Sequence, residues 1–216
     1  LLDCPMFALD ICGGTSQGKT TAMTVAASVW GSEKYVRSWE GTRVGFERLA
    51  GCMRGTPLLL DDTRRQQKPE ICAQLVYDIV AGEGRIRGEG GDGLRDMATY
   101  STILISTGEG PLKDMANAGG LSARCLPIWG SPMGGVSTAN GVAAAALQDA
   151  TRLYHGHVGA ACVDYVLSMD ASARTALRQY YASRVTYRIA TESPSPVAVR
   201  MAAYAALIDT AGRLIE

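Results

Sequence analysis

What the chain lacks already excludes several classes of protein. It has no surplus of charge: 21 Lys and Arg stand against 21 Asp and Glu in 216 residues, a formal net charge of zero. No global field therefore draws it onto nucleic acid, and any such binding has to come from a local patch. Apolar runs such as 141–147 fall well short of the ~20 residues that span a bilayer, so no membrane segment is expected. Histidine is scarce, at two residues, and none of the six cysteines (Cys4, Cys12, Cys52, Cys72, Cys125, Cys162) falls in a CxxC pair. A structural zinc site wants closely spaced paired ligands, so zinc is not expected. Several cysteines sit in apolar runs, where a reduced thiol packs as a small hydrophobe. A reduced, cytoplasmic protein is the expectation. There is no initial methionine, and residues 6–12 already read as a strand. The chain therefore reads as a piece of a longer protein, with a signal peptide upstream neither visible nor excluded.

What is present is an alternation of strands and helices. Met6 to Cys12 is a short apolar run ending at a glycine pair, and Lys19 to Trp30 continues without a breaker, so strand, loop and helix follow one another. Ser38 to Leu49 reads as an amphipathic segment closed by Gly51 and Gly55. Pro57-Leu58-Leu59-Leu60 reads as a buried strand delivering Asp61 and Asp62 at its carboxyl end. Pro69 to Val80 has helical spacing and stops at Ala81-Gly82. Gly84 to Asp96 turns to Arg, Gly and acid, which predicts an exposed hairpin or loop around Gly90 to Gly93. Thr102 to Ser106 is a β-rich run bounded by Thr107-Gly108, and Cys125 to Trp129 is a further short one. The alternation predicts a parallel α/β sheet with helices on both faces, over residues 1–135. Gly130 to Gly141 is the expected boundary. Residues 136–216 then form a smaller α-helical part, with helix over 142–182 and 195–216 and an interruption near Ser183 to Pro196.

Gly13-Gly14-Thr15-Ser16-Gln17-Gly18-Lys19-Thr20 fits GxxxxGK[ST] at every fixed position, with a strand before it and a helix after it. Glycines let successive backbone N–H groups face a phosphate, and the positive end of the helix dipole points the same way. Lys19 would contact the β and γ phosphates of ATP, Thr20 would supply a hydroxyl to Mg²⁺, and Thr21 completes the nucleotide-binding stretch. Leu58-Leu59-Leu60-Asp61-Asp62 is a Walker B pattern. Asp61 would hold Mg²⁺, and Asp62 stands where many ATPases place a glutamate that acts on the attacking water. A plain N-cap role for Asp62 stays open beside that. Thr107, with Ser106 as its understudy, would position the lytic water, or simply end a strand. Arg124 suits an arginine finger offered to a neighbouring subunit's γ-phosphate, or a surface ion pair. Arg85, Arg87 and Arg95 could track the phosphates of a single strand. Glu83, Glu89, Asp92 and Asp96 are interleaved with them, so a solvated charged loop is the competing reading. His155 and His157 flank Gly156 and read as an ordinary helix start.

Taken in order, GGTSQGKTTAMTVAASVWG, PLLLDDTRR, VYDIVAGEGRIRG, ILISTGEGPL and RMAAYAALIDTAGRL resemble the family known as domain of unknown function 927. Its members are helicase-like or primase-helicase-like ATPases of phages and mobile elements, and the resemblance runs from about residue 7 to the end of the chain. It implies an AAA+ motor related to superfamily 3 helicases, acting on DNA as a homo-oligomeric ring, plausibly of six subunits. Those helicases carry a pore hairpin ahead of the strand-end polar residue called sensor 1, the positions here of Arg85 to Arg95 and of Thr107. Arg200 looks like the family's arginine at sensor 2. One departure stands out, since the family commonly has Asp-Glu where this chain has Asp61-Asp62. The leading expectation is an ATP-driven DNA helicase or translocase. A loader or regulatory switch ATPase that moves nothing is the alternative, and a small-molecule kinase is a third reading, disfavoured by the alanine-rich C-terminal third.

Overall fold

Ala8–Cys12 (β1) is an interior strand of the sheet with alternate side chains fully buried. The computed structural model describes the whole chain except residues 1, 3, 86, 89–93, 96, 116–119, 192–194 and 216, and for 87, 88, 94 and 95 the backbone alone. After β1 come Lys19–Ser28 (α1), Arg37–Ser38 (β2), Arg43–Cys52 (α2), Leu58–Asp61 (β3), Pro69–Ala81 (α3), Arg87–Gly88 (β4), Leu94–Arg95 (β5), Leu104–Gly108 (β6) and Cys125–Trp129 (β7). Four helices complete the chain: Thr138–Leu153 (α4), His157–Ser168 (α5), Ala171–Thr191 (α6) and Pro196–Ile215 (α7).

Five strands form one sheet in the order β2-β3-β6-β1-β7. Every pairing is parallel, and Ala8 lies opposite both Leu104 and Cys125. Parallel sheets bury both faces, and β3 shows why a continuous leucine run suits one. Leu58 and Leu60 enter a large core with Phe46, Leu75, Val76 and Ile79 from α2 and α3. Leu59 points the other way, to Met23 and Ala27 of α1. Cys72 and Cys125 pack in the large core as small apolar groups, and burial pushes both thiols up from their ordinary value. Arg43 ties α2 to α3, reaching Glu47 at 2.9 Å and Asp78 at 2.6 Å.

Several boundaries differ from the sequence reading. The segment read as beginning at Ser38 is first an edge strand, with Arg37 opposite Leu60 and Ser38 opposite Asp61. The helix starts only at Arg43, where the Thr42 hydroxyl accepts the Gly45 N–H at 3.2 Å. A two-residue strand carries no periodicity by which it could be found. β6 extends to Gly108, because pairing with β1 continues to Cys12 opposite Gly108, so Thr107 lies inside the strand. The interruption expected from Ser183 to Pro196 starts later, since α6 runs to Thr191 and α7 opens at Pro196.

The helices after β7 are fastened to the sheet layer at both ends. α4 lies against α1, where Gln148 Nε2 donates to Thr21 Oγ1 at 3.1 Å. The last carbonyls of α1, from Ser28 and Val29, accept the N–H groups of Gly156 and Gly159 at 2.7 and 2.8 Å. α6 and α7 pack antiparallel, with Arg184 and Arg188 both on Asp209 and Arg213 over the Tyr180 ring. The Tyr204 ring of α7 stacks on Phe7 at 4.6 Å between centroids, and its hydroxyl donates to the Ala123 carbonyl at 3.0 Å. No described helix is long and apolar enough to cross a membrane.

Candidate functional site

In an open parallel sheet, ligands settle beyond the carboxyl ends of the strands, and here the ends of β1, β3 and β6 converge. Gly13 continues from β1, its N–H reaching the Gly108 carbonyl at 3.3 Å. Ser16 and Gly18 take positive φ, at 60° and 85°, which turns the loop back toward α1. Gly18 also lies under Met133, whose Cγ would come within 2.6 Å of an added Cβ. The second glycine of the motif is therefore required twice, by its backbone angle and by this close approach. The Lys19 ammonium folds over the loop and donates to the Gly13 and Gly14 carbonyls at 2.9 and 2.6 Å.

Beside it, Thr20 Oγ1 donates to Asp61 Oδ2 at 3.3 Å. The other Asp61 oxygen, Oδ1, accepts the Thr107 hydroxyl, and Thr107 Oγ1 in turn accepts the Asp62 N–H at 2.9 Å. Thr20, Asp61 and Thr107 thus form one cluster that joins the first turn of α1 to the carboxyl ends of β3 and β6. Its donor set is carboxylate and hydroxyl oxygen, the hard set that suits Mg²⁺. Among the described residues no three or more His, Cys, Asp or Glu gather as a metal site.

Asp62 is turned elsewhere. With φ at 63° it caps the short 3-10 turn Thr63–Arg65, its Oδ1 accepting the Arg64 N–H at 3.2 Å while Oδ2 lies 3.5 Å from Arg65 Nε. Aspartate tolerates this left-handed backbone because its short side chain can bond the chain just ahead. The capping alternative, not the water-facing one, describes its contacts. Thr21 is buried against Gln148 of α4 and not on the phosphate side. Ser106, the understudy to Thr107, is buried and accepts Trp39 Nε1 at 3.0 Å.

The structure also brings in a residue the sequence reading did not single out. Glu109, the first residue past β6, accepts the Thr15 hydroxyl through Oε1 and Arg64 Nη1 through Oε2, both at 2.6 Å. It joins the glycine-rich loop to the turn after β3. The Thr15 hydroxyl and the Arg64 guanidinium hold its carboxyl below the usual glutamate range, helped by the charge of Lys19. The next turn, Leu112–Asp114, is anchored from beneath, where the Leu112 N–H donates to Asp10 Oδ2 at 2.7 Å. Burial raises the Asp10 carboxyl from 3.8 to about 6, against the lowering effect of Leu112 and Ser106. The signal for Glu109 was available: a lone acid between glycines at a strand's carboxyl end, beside the strand that feeds the loop.

Other proposed site residues lie at the far edge of the sheet. Arg124 precedes β7, and its carbonyl accepts the N–H of Ala8, the first residue of β1. Five residues of strand, about 16 Å at ~3.3 Å each, separate that edge from the loop. Arg124 is held within its own chain, over the Tyr77 ring at 4.7 Å and on the Gly120 carbonyl at 2.9 Å. Arg200 is exposed on α7 one turn before Tyr204, and its charge and that of Arg124 both act on Tyr204. The 83–100 hairpin leaves the same edge, at the end of α3. Its base closes through a Glu83–Thr99 bridge and the Gly84 N–H on the Ala98 carbonyl, and β4 pairs antiparallel with β5, Arg87 opposite Arg95. Arg85 is exposed there, and its charge helps hold down the Asp78 carboxyl, which burial raises. The side chains of Arg87 and Arg95, and the tip expected at Gly90 to Gly93, lie outside the described residues.

Comparison with known proteins gives two likenesses. The model of the family described as "Domain of unknown function (DUF927)" matches residues 1–98. The match ends before β6, so it covers less of the chain than the motifs through RMAAYAALIDTAGRL suggested. A solved structure described as "SCCmec type IV Cch - active helicase" superposes with a TM-score of 0.76 at 23% sequence identity. That likeness covers 99% of this chain and 38% of the other, so this chain spans well under half the length of its structural relative. No curated protein matches the chain. What these likenesses establish is the fold, an α/β architecture with a five-stranded parallel sheet flanked by helices.

Proposed function

We propose that the chain is the ATP-hydrolysing domain of an AAA+ motor that acts on single-stranded DNA as a homo-oligomeric ring, in the manner of a helicase or translocase of a phage or mobile element. The observation that carries this reading is the Thr20–Asp61–Thr107 cluster, which joins the start of α1 to β3 and β6, with Lys19 folded over the glycine-rich loop beside it. In that arrangement the glycine-rich loop, Gly13 to Gly18, wraps the phosphates with its N–H groups, and Lys19 moves from the Gly13 and Gly14 carbonyls onto them. Thr20 and Asp61 would hold Mg²⁺, which neutralises charge on the phosphates when bound. Thr107 fixes the Asp61 carboxylate and the Asp62 backbone in register with the loop.

Arg124 and Arg200 cannot serve the same chain's nucleotide from the far edge of the sheet, which favours an assembly in which each copy offers that edge to its neighbour's site. The hairpin with Arg85, Arg87 and Arg95 leaves the same edge and would meet a nucleic-acid strand through its phosphates. The structural relative, described as an active helicase, supports this reading.

A switch or loader ATPase is the second reading. It is favoured by one observation: Asp62, the acid at the expected water-activating position, caps a turn. Two measurements decide. ATP hydrolysis should rise when single-stranded DNA is added, and changing Arg85 and Arg87 together to alanine should remove that rise. Unaltered stimulation sinks the hairpin assignment. Duplex displacement driven by ATP decides against the switch.

A further inference from the structure

We propose that Glu109, and not Asp62, is the carboxylate that orients and deprotonates the water attacking the terminal phosphate, an assignment that rests on the ATP-hydrolysis reading above. Hydrolysis by such a site needs a carboxylate beside the phosphate loop with a free lone pair to take a proton. Asp62 has the expected sequence position, but its side-chain contacts are with the turn that follows, the Arg64 N–H and Arg65 Nε, and among the described residues none is with the glycine-rich loop. Glu109 has the position that matters in space. It lies two residues beyond Thr107 on the same strand end and is bonded directly to Thr15 of the loop.

Its chemistry fits the role. A glutamate side chain is one methylene longer than aspartate, and an ionised carboxylate accepts about four hydrogen bonds on its two oxygens. Thr15 and Arg64 occupy one site on each oxygen, which leaves room for a water on the same group. They also fix the carboxylate as a plane between loop and turn, and Arg64 balances its charge beside an incoming polyanion. The side chain keeps 38% of its surface exposed, enough for solvent to reach it. Below it, Asp10 holds the Leu112 end of the loop that carries Glu109, so the carboxylate is tethered from three directions.

The step balances without any further reactant. Water attacks the terminal phosphorus, the bond from that phosphorus to the β,γ-bridging oxygen breaks, and ADP departs with the electron pair. The water's proton passes to a Glu109 oxygen and is released to solvent as phosphate leaves.

The test compares Glu109→Gln, Glu109→Asp, Asp62→Asn and the unaltered full chain, with single-stranded DNA present. It measures steady-state ATP hydrolysis, and separately the binding of Mg·ATP by calorimetry. Glu109→Gln keeps the size and one of the two acceptor oxygens but loses the base, so kcat should fall about 100-fold or more while the Kd for Mg·ATP stays within about threefold. Asp62→Asn should retain at least ten times the turnover of Glu109→Gln. Glu109→Asp, with the carboxylate drawn back by one carbon, should fall between, and serves if the glutamine variant does not fold. Unimpaired turnover in Glu109→Gln overturns the assignment, as does loss of Mg·ATP binding together with turnover, which would make Glu109 a strut of the loop. A 100-fold loss in Asp62→Asn with Glu109→Gln active returns the role to Asp62. An unaltered chain that binds but never hydrolyses ATP overturns the hydrolysis reading itself, and Glu109 with it.

Discussion

Replacing Asp10 with asparagine should change how the chain's stability depends on pH. Asp10 is fully buried in β1, an interior strand of the sheet, and burial raises its carboxyl from 3.8 to about 6. A carboxyl with a folded-state pKa above its unfolded value holds its proton more tightly in the folded chain. The cost of ionising it is therefore fully present above about pH 6 and vanishes as pH falls toward the unfolded value. At 1.36 kcal/mol per pKa unit, a rise of about two units corresponds to about 3 kcal/mol. Asparagine keeps an oxygen for the Leu112 N–H and removes the titration. Urea unfolding of both proteins at pH 8, 6 and 4 would give two stability profiles. Their difference should shift by about 3 kcal/mol in favour of the asparagine variant between pH 4 and pH 8, whatever constant offset the swap introduces. Parallel profiles, or a shift in favour of the aspartate with rising pH, would refute the reasoning.

Three further outcomes concern what holds the site in place. Tyr204→Phe removes the donor to the Ala123 carbonyl and should cost about 1–3 kcal/mol in denaturant unfolding, because a buried acceptor is left without its partner; no change would mean that α7 is not docked through this residue. Leu59→Ala empties a position sealed between β3 and α1 and should cost about 2–5 kcal/mol, read as a lower midpoint of thermal unfolding. Trp39→Phe removes the Nε1 bond to Ser106 and should lower stability by about 1–3 kcal/mol while leaving Mg·ATP binding intact. Loss of Mg·ATP binding in that variant would show that Trp39 is coupled to the loop.

The sheet was legible in the sequence where burial and chemistry coincide in few residues. Leu58 to Leu60 is uninterrupted because both faces of β3 are covered, and the leucines announce the strand that ends in Asp61. Gly18 and Lys19 mark the turn into α1 because only glycine takes that backbone angle under Met133 without strain. What was not legible depends on distance in the fold. β2 is two residues long and exists only because β3 lies beside it. Asp62 fits an acid position by spacing, but its left-handed backbone sends the side chain into a cap, which spacing alone does not encode. Glu109 stands 94 residues from Thr15, and only the parallel pairing of β6 with β1 brings the two together. Arg124 reads as a finger for a neighbouring subunit and Arg200 as a sensor 2 residue, and only the fold shows that both lie at the edge away from this chain's own loop.

That geometry also divides the surface into two working edges. At one edge, Lys19 and Thr20 at the start of α1 gather with Asp61 at the end of β3 and Thr107 and Glu109 at the end of β6. The opposite edge carries Arg124, Arg200 and the base of the arginine hairpin. Under the motor reading, one edge holds the nucleotide and the other meets a neighbouring subunit and the DNA.

The central claim, that Gly13 to Thr20 is a nucleoside-triphosphate site, is tested most directly by calorimetric titration of Mg·ATP into the unaltered chain and into Lys19→Ala. The account predicts saturable binding by the former and its loss, or a weakening of at least about tenfold, in the latter, where the ammonium that faces the phosphates is gone. Equal binding by both proteins, or none by the unaltered chain, would contradict it.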